Sequence, residues 1–231
     1  MRALSIATCL LGLSLAFPVT APAWAQDSGN PFCNESIEKA SPKTIASLAK
    51  KGANLNVICP DTKRTPLQSQ LFSDHTANAL AMLAAGANPS IPDQIDQQTA
   101  LYQARNAKVA EALIKHGADV NARDDHQQTP IFMQTAGTSL DVVDVLLRHG
   151  ADINARDNEN ETPLISAVTQ ADPTMVAALV ARGADMSVRD SNGRTALGNA
   201  LNFASSSLTE PDQVQLQNQI VQMLEAKGAP Q

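Results

Sequence analysis

The chain has four histidines and 23 acidic residues, the side chains most often used in acid–base catalysis and metal binding. His116 and His149 each stand directly before Gly-Ala-Asp, where a basic side chain suits the C-terminal end of a helix. We expect His75 in a loop that opens a helix and His126 at the exposed tip of a turn. These positions form no catalytic constellation.

The acidic residues are numerous but scattered. Asp119, Asp152 and Asp185 recur at one place in a repeating pattern, which favours a structural role. Asp124-Asp125 and the acids of 157–161 could attract a cation, but their spacing is not that of a calcium loop, so we predict solvated turn residues. The nucleophile-elbow, phosphate-loop and zinc-protease motifs are absent. We therefore predict no enzyme activity, no cofactor and no metal site.

The N-terminus has the pattern of an export signal. Arg2 precedes an almost wholly apolar stretch at 3–17, and Ala23-Trp24-Ala25 provides a cleavage site. The stretch is too short to span a bilayer comfortably, since a permanent helix needs about 20 residues. We predict cleavage near Ala25 and a periplasmic or secreted protein without membrane association; an uncleaved N-terminal anchor is the alternative.

Export changes the interpretation of the three cysteines. Cys9 lies in the signal segment, which leaves Cys33 and Cys59. An even number of cysteines in an oxidising compartment favours one disulfide, which would stabilise the fold by roughly 3–4 kcal/mol in the entropic model. Two buried thiols that never meet are the alternative. No C-x-x-C motif is present.

Composition excludes some classes of partner and shapes the core. The chain of 231 residues has a formal charge of -6 and no run of basic residues, so we expect no nucleic-acid binding. Only 3% of the residues are aromatic, against 43% hydrophobic, so Ala, Leu, Val and Ile must form the core.

Two independent markers repeat along the chain with a period of about 33 residues, which indicates a solenoid. One is a glycine in Gly-Ala after an apolar segment, and the other is a threonine before Pro or Ala and an aliphatic residue. The glycines are Gly52, Gly86, Gly117, Gly150 and Gly183, and the threonines are Thr65, Thr99, Thr129, Thr162 and Thr195.

Each marker has a physical role at the end of a helix. A threonine hydroxyl caps a helix N-terminus, a following proline fits the first helical position, and glycine supplies the left-handed residue that ends a helix. The apolar periodicity predicts helices over 131–136 and 140–147, and Asp172-Pro173 is expected to open another that Gly183 closes. The polar stretch 155–161 is expected to form a hairpin-like connection.

These motifs resemble the ankyrin repeat family, most clearly at 129–157 and 162–190. The resemblance covers about residues 31 to 229 and implies an all-α solenoid of about six helix-turn-helix repeats with hairpin-like connections. After the predicted signal peptide at 1–25, the organisation it implies is an N-terminal capping repeat at 26–60, central repeats at 61–190, and a C-terminal capping repeat with a loop insertion and a long last helix at 191–231.

The chain departs from the family pattern in three ways. The third unit is three residues short around 104–108. The last unit is stretched by a loop before a long final helix, expected at 212–226, whose polar face should meet water as in a capping repeat: Gln213, Gln215, Gln217 and Gln219. The histidine that usually follows Thr-Pro-Leu is replaced everywhere, so we expect packing to substitute for its hydrogen bond between repeats; the replacing residues are Gln68, Tyr102, Phe132, Ile165 and Gly198.

The resemblance implies that a partner contacts the hairpin tips and the exposed part of each first helix. Phe72, Ile95 and Phe203 are apolar and are candidate anchors, although Phe72 and Phe203 could equally be core residues. The middle tips are acidic, which suggests a partner with a basic patch. The expected contact residues are Asp61, Arg64, Phe72, Ile95, Asp96, Gln98, Asp125, His126, Gln128, Asn158, Glu159, Glu161, Asn192, Arg194 and Phe203.

The sequence thus predicts a monomer that binds another protein in the periplasm and performs no chemistry itself. One hypothesis is an inhibitor or protective partner of an exported enzyme. A structural scaffold in the envelope or on the cell wall, and a secreted effector that acts in a host, are the alternatives. Nothing in the residues identifies the partner.

Overall fold

The computed structural model describes residues 30–34, 37, 39–133, 140–205 and 211–231. The predicted signal peptide at 1–25, residues 134–136 of one predicted helix and most of the expected loop insertion lie outside these ranges. No helix of the described residues is long and apolar enough to cross a membrane. The helices are α1 Pro42–Lys50, α2 Pro66–Phe72, α3 Thr76–Ala84, α4 Ala107–Lys115, α5 Pro130–Met133, α6 Leu140–Arg148, α7 Pro163–Thr169, α8 Pro173–Ala181, α9 Ala196–Ala204 and α10 Pro211–Ala226, with 3₁₀ helices at Pro31–Cys33 and Ala100–Gln103.

The predicted caps begin the helices. The side chains of Thr65, Thr162 and Thr195 each accept a hydrogen bond from the backbone N–H three residues later. Ser41 and Asp172 do the same before Pro42 and Pro173, which confirms the predicted openings of α1 and α8. Thr99 makes no such bond, and the short third unit begins with a 3₁₀ helix instead of an α-helix.

The predicted glycines end the outer helices. Gly52, Gly86, Gly117, Gly150 and Gly183 have φ between 87° and 96°, the left-handed region that a side chain rarely adopts. The residue after each glycine turns back onto its helix, as when Ala118 N–H donates to the Leu113 carbonyl at 3.0 Å.

The helices stack in two rows around one continuous apolar core, which confirms the all-α solenoid of helix pairs. The inner row is α2, the 3₁₀ helix at Ala100–Gln103, α5, α7 and α9, each in contact with the next. The outer row includes α1, α3, α4 and α6, also in sequence. We count six units: α1, then α2 with α3, the 3₁₀ helix with α4, α5 with α6, α7 with α8, and α9 with α10.

Two of the residues that replace the family histidine restore a hydrogen bond between units. Gln68 Nε2 donates to the Gln98 carbonyl at 2.6 Å, and the Tyr102 hydroxyl lies 2.7 Å from the Ala122 carbonyl and 2.6 Å from that of Gln128. The expectation that packing alone substitutes is therefore wrong at these units, because an amide and a phenol also donate. Phe132 and Ile165 are buried in the core.

Both terminal units are attached by specific contacts. Cys33 and Cys59 form a disulfide with an S–S distance of 2.10 Å, as predicted, and Phe32 beside it is buried. In α10, Gln213, Gln215 and Gln219 are exposed as expected, but Gln217 is buried and its Nε2 donates to the Val168 carbonyl at 2.7 Å. The prediction that Gln217 faces water is wrong, since α10 lies across the fifth unit and the Gln217 amide bonds to its α7 helix.

Candidate protein-binding surface

Five tight turns connect successive units, and we call them tips: 59–64, 93–98, 124–128, 157–161 and 190–194. In each tip the first residue donates its backbone N–H to the carbonyl of the last residue at 2.8–3.1 Å. The residue two positions before the repeating threonine has a left-handed backbone in every tip: Lys63, Gln97, Gln127, Asn160 and Gly193. These turns are the hairpin-like connections that the sequence predicts.

An aspartate at the start of four tips organises the turn. Asp124 Oδ1, for example, accepts the N–H groups of His126 at 3.0 Å and Gln128 at 2.9 Å. Burial raises the pKa of Asp124 above its ordinary value. Burial also opposes ionisation of Asp190, but bonds from Asn199 and the tip backbone hold the pKa of Asp190 below its ordinary value. These carboxylates therefore shape the tips.

Backbone bonds also join each tip to the next. Gln94 N–H donates to the Lys63 carbonyl at 2.9 Å, and Ser191 N–H donates to the Glu159 carbonyl at 2.8 Å. Equivalent bonds join the middle tips at Asp125 and Asn158. The tips consequently form one continuous edge that is organised before any partner binds, which lowers the entropy cost of binding.

The predicted contact residues divide into two groups. The exposed group consists of Asp61, Phe72, Ile95, Asp125, His126, Asn158, Glu159, Asn192 and Arg194. The half-buried group consists of Arg64, Asp96, Gln98, Gln128, Glu161 and Phe203.

Several half-buried residues bridge one tip to the next, a role that sequence reasoning missed. Each is the residue directly before a repeating threonine. Arg64 Nε lies 3.8 Å from Asp93 Oδ2, and Gln128 Nε2 donates to Asp157 Oδ2 at 3.1 Å. Gln98 holds the equivalent position before Thr99, and hydrogen bonding from its side chain opposes the rise in the pKa of Asp124. The signal in the sequence is a polar residue before each of these threonines, together with an aspartate 26 to 29 residues later.

Phe72 and Ile95 are exposed apolar side chains beside the first two tips, and we call the two together the Phe72–Ile95 patch. They are 55% and 44% exposed, and they are the exposed large hydrophobic residues of the described chain. The Arg64 guanidinium lies 4.4 Å from the centre of the Phe72 ring. Arg64 also approaches Asp93, whose carboxylate accepts the Ile95 N–H at 3.1 Å. Arg64 and Asp93 therefore connect the Phe72 ring to the backbone of Ile95.

Asp124, Asp125 and His126 are the one group of possible metal ligands found among the described residues, with ligand atoms within 4.8 Å of one another. The Asp124 carboxylate already accepts bonds within its own tip. His126 Nδ1 lies 2.8 Å from an Asp125 carboxylate oxygen. These bonds explain the grouping as part of the turn.

The C-terminal residues lie against the last tip. Thr195 Oγ1 donates to the Pro230 carbonyl at 2.7 Å, and Arg189 donates to the Gln231 carbonyl at 2.9 Å. The Phe72–Ile95 patch lies at the opposite end of the row of tips.

Stacked helix pairs joined by a continuous row of tips define a solenoid repeat protein. Models of ankyrin repeats match residues 69–157 and 139–197. The chain belongs to the ankyrin repeat family, whose repeats are generally protein–protein interaction modules. Its structure is similar to the crystal structure of the ankyrin repeat domain of Bcl-3, with a TM-score of 0.71, 24% sequence identity, and coverage of 87% of this chain and 86% of that one. A search of curated protein sequences finds no match.

Proposed function

We propose that this chain is an exported, non-catalytic protein-binding module that holds its partner on the row of tips and on the Phe72–Ile95 patch. The carrying observation is the exposure of Phe72 and Ile95 beside tips whose backbone is already fixed. Buried aromatic and aliphatic anchors supply most of the energy of an interface, whereas an exposed pair of this kind has no role in the core.

The acidic side chains of the middle tips support a partner with a basic patch. Asp125 and Glu159 are exposed, and Asp96 and Glu161 are half-buried on neighbouring tips. Charges of one sign along an edge steer an oppositely charged partner and make association sensitive to salt. An apolar side chain flanked by lysine or arginine is thus the chemistry that the surface fits.

The Cys33–Cys59 disulfide supports an oxidising compartment, which agrees with the export signal in the sequence. Within the periplasm, a module without chemistry of its own is suited to inhibit or protect an exported enzyme by covering it. That role is the more specific part of the proposal.

Pull-down from periplasmic extract tests the proposal with matched variants. The wild-type chain should recover one specific protein, and Phe72→Ser combined with Ile95→Ser should lose it. Lys115→Ser is the control, because Lys115 is exposed on the outer helix α4, and this variant should retain the partner. A leucine such as Leu147 would not serve as a control, because it packs against the core. Recovery that is equal for all three chains contradicts the proposed surface.

A further inference from the structure

We call the contact between two successive tips a joint. The side chains that bridge the first three joints follow one rule, and the fourth joint departs from it. At three joints, the residue before the threonine brings a cation or an amide N–H group to the aspartate of the next tip: Arg64 to Asp93, Gln98 to Asp124, and Gln128 to Asp157. At the fourth joint that residue is Glu161, and the aspartate of the next tip is Asp190. An ionised glutamate accepts hydrogen bonds but cannot donate one.

The fourth joint therefore places a carboxylate in the position of a donor. Asp190 is buried, and its oxygens accept bonds from Asn199 Nδ2 and from the backbone of its own tip. Those bonds stabilise the ionised form of Asp190. Glu161 is half-buried, so water screens its charge only partly.

The charged groups that act on Glu161 are all acids. Asp157 and Glu159 belong to its own tip, and Asp190 belongs to the next one. Burial first, and then the negative charges of these three residues, raise the pKa of Glu161 above the ordinary value of 4.5. Arg194 of the next tip acts on Asp190 and helps to keep that carboxylate ionised.

We propose that the joint between the tips 157–161 and 190–194 is sensitive to pH. A proton on Glu161 turns it into a donor to Asp190 and completes the row of bridges. At neutral pH the two carboxylates repel, and one backbone bond, from Ser191 N–H to the Glu159 carbonyl, remains between these tips. Acidification thus tightens the end of the row that presents Asn192 and Arg194.

The sign of the effect follows from the proton count. A folded-state pKa above the unfolded value means that the native state binds the proton more tightly. This group's contribution to stability is then largest below 4.5 and is lost as the pH rises through the raised pKa. Most acidic groups that pair with a cation in a fold have a lowered pKa, and their contribution to stability is lost as the pH falls. The contribution of Glu161 must therefore be isolated by comparing variants at the same pH.

The test measures amide hydrogen exchange at Ser191 in the full chain for the wild type, Glu161→Gln and Glu159→Gln. Glu161→Gln supplies the same amide donor that Gln98 and Gln128 provide, so exchange at Ser191 should slow several-fold at neutral pH. The difference from the wild type should shrink below pH 4.5, where Glu161 is mostly protonated. Glu159→Gln removes the same charge from the same tip without changing the bridging position, and should have the smaller effect.

A converse variant keeps the test independent of any one substitution. Gln128→Glu places a carboxylate opposite Asp157, and exchange at Asn158 should become faster at neutral pH and less so in acid, where the new carboxyl group is protonated. The proposal is overturned if Glu161→Gln protects Ser191 no better than Glu159→Gln does, or if its effect is the same at both pH values. No partner protein is needed, so the result is independent of the proposed function.

Discussion

Tyr102 shows how a single side chain can replace a missing family residue. It is buried, its hydroxyl contacts two carbonyls of the next unit, and burial raises the pKa of its phenol. Gln68 does equivalent work one unit earlier with its amide. The sequence locates both residues, but the period of the repeat does not reveal how far each side chain reaches.

Tyr102→Phe should lower the free energy of unfolding by about 1–3 kcal/mol, because it leaves the part-buried Ala122 carbonyl without its hydroxyl donor. Urea denaturation of the two chains measures the difference. The ring itself is retained, so the core packing of the third unit should not change. Equal stability of the two chains would show that these bonds contribute nothing.

Gln127 and Gly193 occupy equivalent left-handed positions in two tips, with φ of 62° and 77°. Gly193→Ala should cost about 1–2 kcal/mol, since an added Cβ meets no atom within 4 Å and only the backbone is strained. Gln127→Gly should gain up to about 1 kcal/mol, because glycine relieves the strain but makes the unfolded chain more flexible. Opposite signs in urea denaturation support this assignment, and equal signs contradict it.

At the scale of elements, ion pairs link the outer helices. The Glu111 carboxylate of α4 lies 3.0 Å from the guanidinium of Arg148, the last residue of α6. It also lies 2.9 Å from Nε2 of His149, the residue that follows α6. Asp144 of α6 accepts a bond from Arg182, which follows α8, at 2.6 Å. These contacts connect the third, fourth and fifth units on the side that carries no tips.

Asp144→Asn should lower stability slightly at neutral pH, by less than about 1 kcal/mol, because the pair is partly exposed. The bond from Arg182 holds the pKa of Asp144 below its ordinary value of 3.8. The contribution is therefore present above 3.8 and is lost as the pH falls through the lowered pKa. Denaturation midpoints of both chains across that range measure it; a difference that grows on acidification contradicts this account.

The disulfide acts on the first unit and the first tip together. Cys59 bonds the backbone of Arg64 and Lys63 within the tip 59–64, so the bridge connects that tip to Phe32 and its neighbours. Replacing both cysteines by serine should destabilise this region by about 3 kcal/mol in the entropic model.

Because stability in a solenoid is largely local, the loss should be confined to the N-terminal end. Amide exchange should accelerate in 39–64 and remain unchanged in α8 and α10. The wild type under reducing conditions should behave like the variant. Exchange that accelerates uniformly along the chain contradicts the local role.

At the scale of the whole molecule, the repeat made the fold predictable. Thr162, Asp172 and Gly183 each specify a helix end through local chemistry, and the recurrence of the threonine and glycine markers at five places specifies the stack. The tips and their positions followed from the same period. What the sequence did not reveal depends on contacts between units, such as the burial of Gln217 of α10 against α7 and the bridge from Gln128 to Asp157.

The candidate surface was predictable in outline and less so in detail. The exposure of Phe72 and Ile95 depends on whether neighbouring turns cover them, which no local pattern encodes. Arg64, Gln98 and Gln128 were expected to face a partner, and in the structure each also interacts with the aspartate of the next tip. A side chain at such a position can serve both roles only while part of it stays exposed.

The most direct test of the central claim is a photo-crosslinking scan of the chain in the cells that make it. A crosslinking residue is placed at exposed positions of the tips and, for comparison, of the outer helices. The account predicts one common partner crosslinked from Asp61, Ile95, Asp125, Glu159 and Asn192, and none from Lys50, Lys115, Ala181 and Glu225. Crosslinks to a partner from the outer-helix positions, with none from the tip positions, would contradict this account.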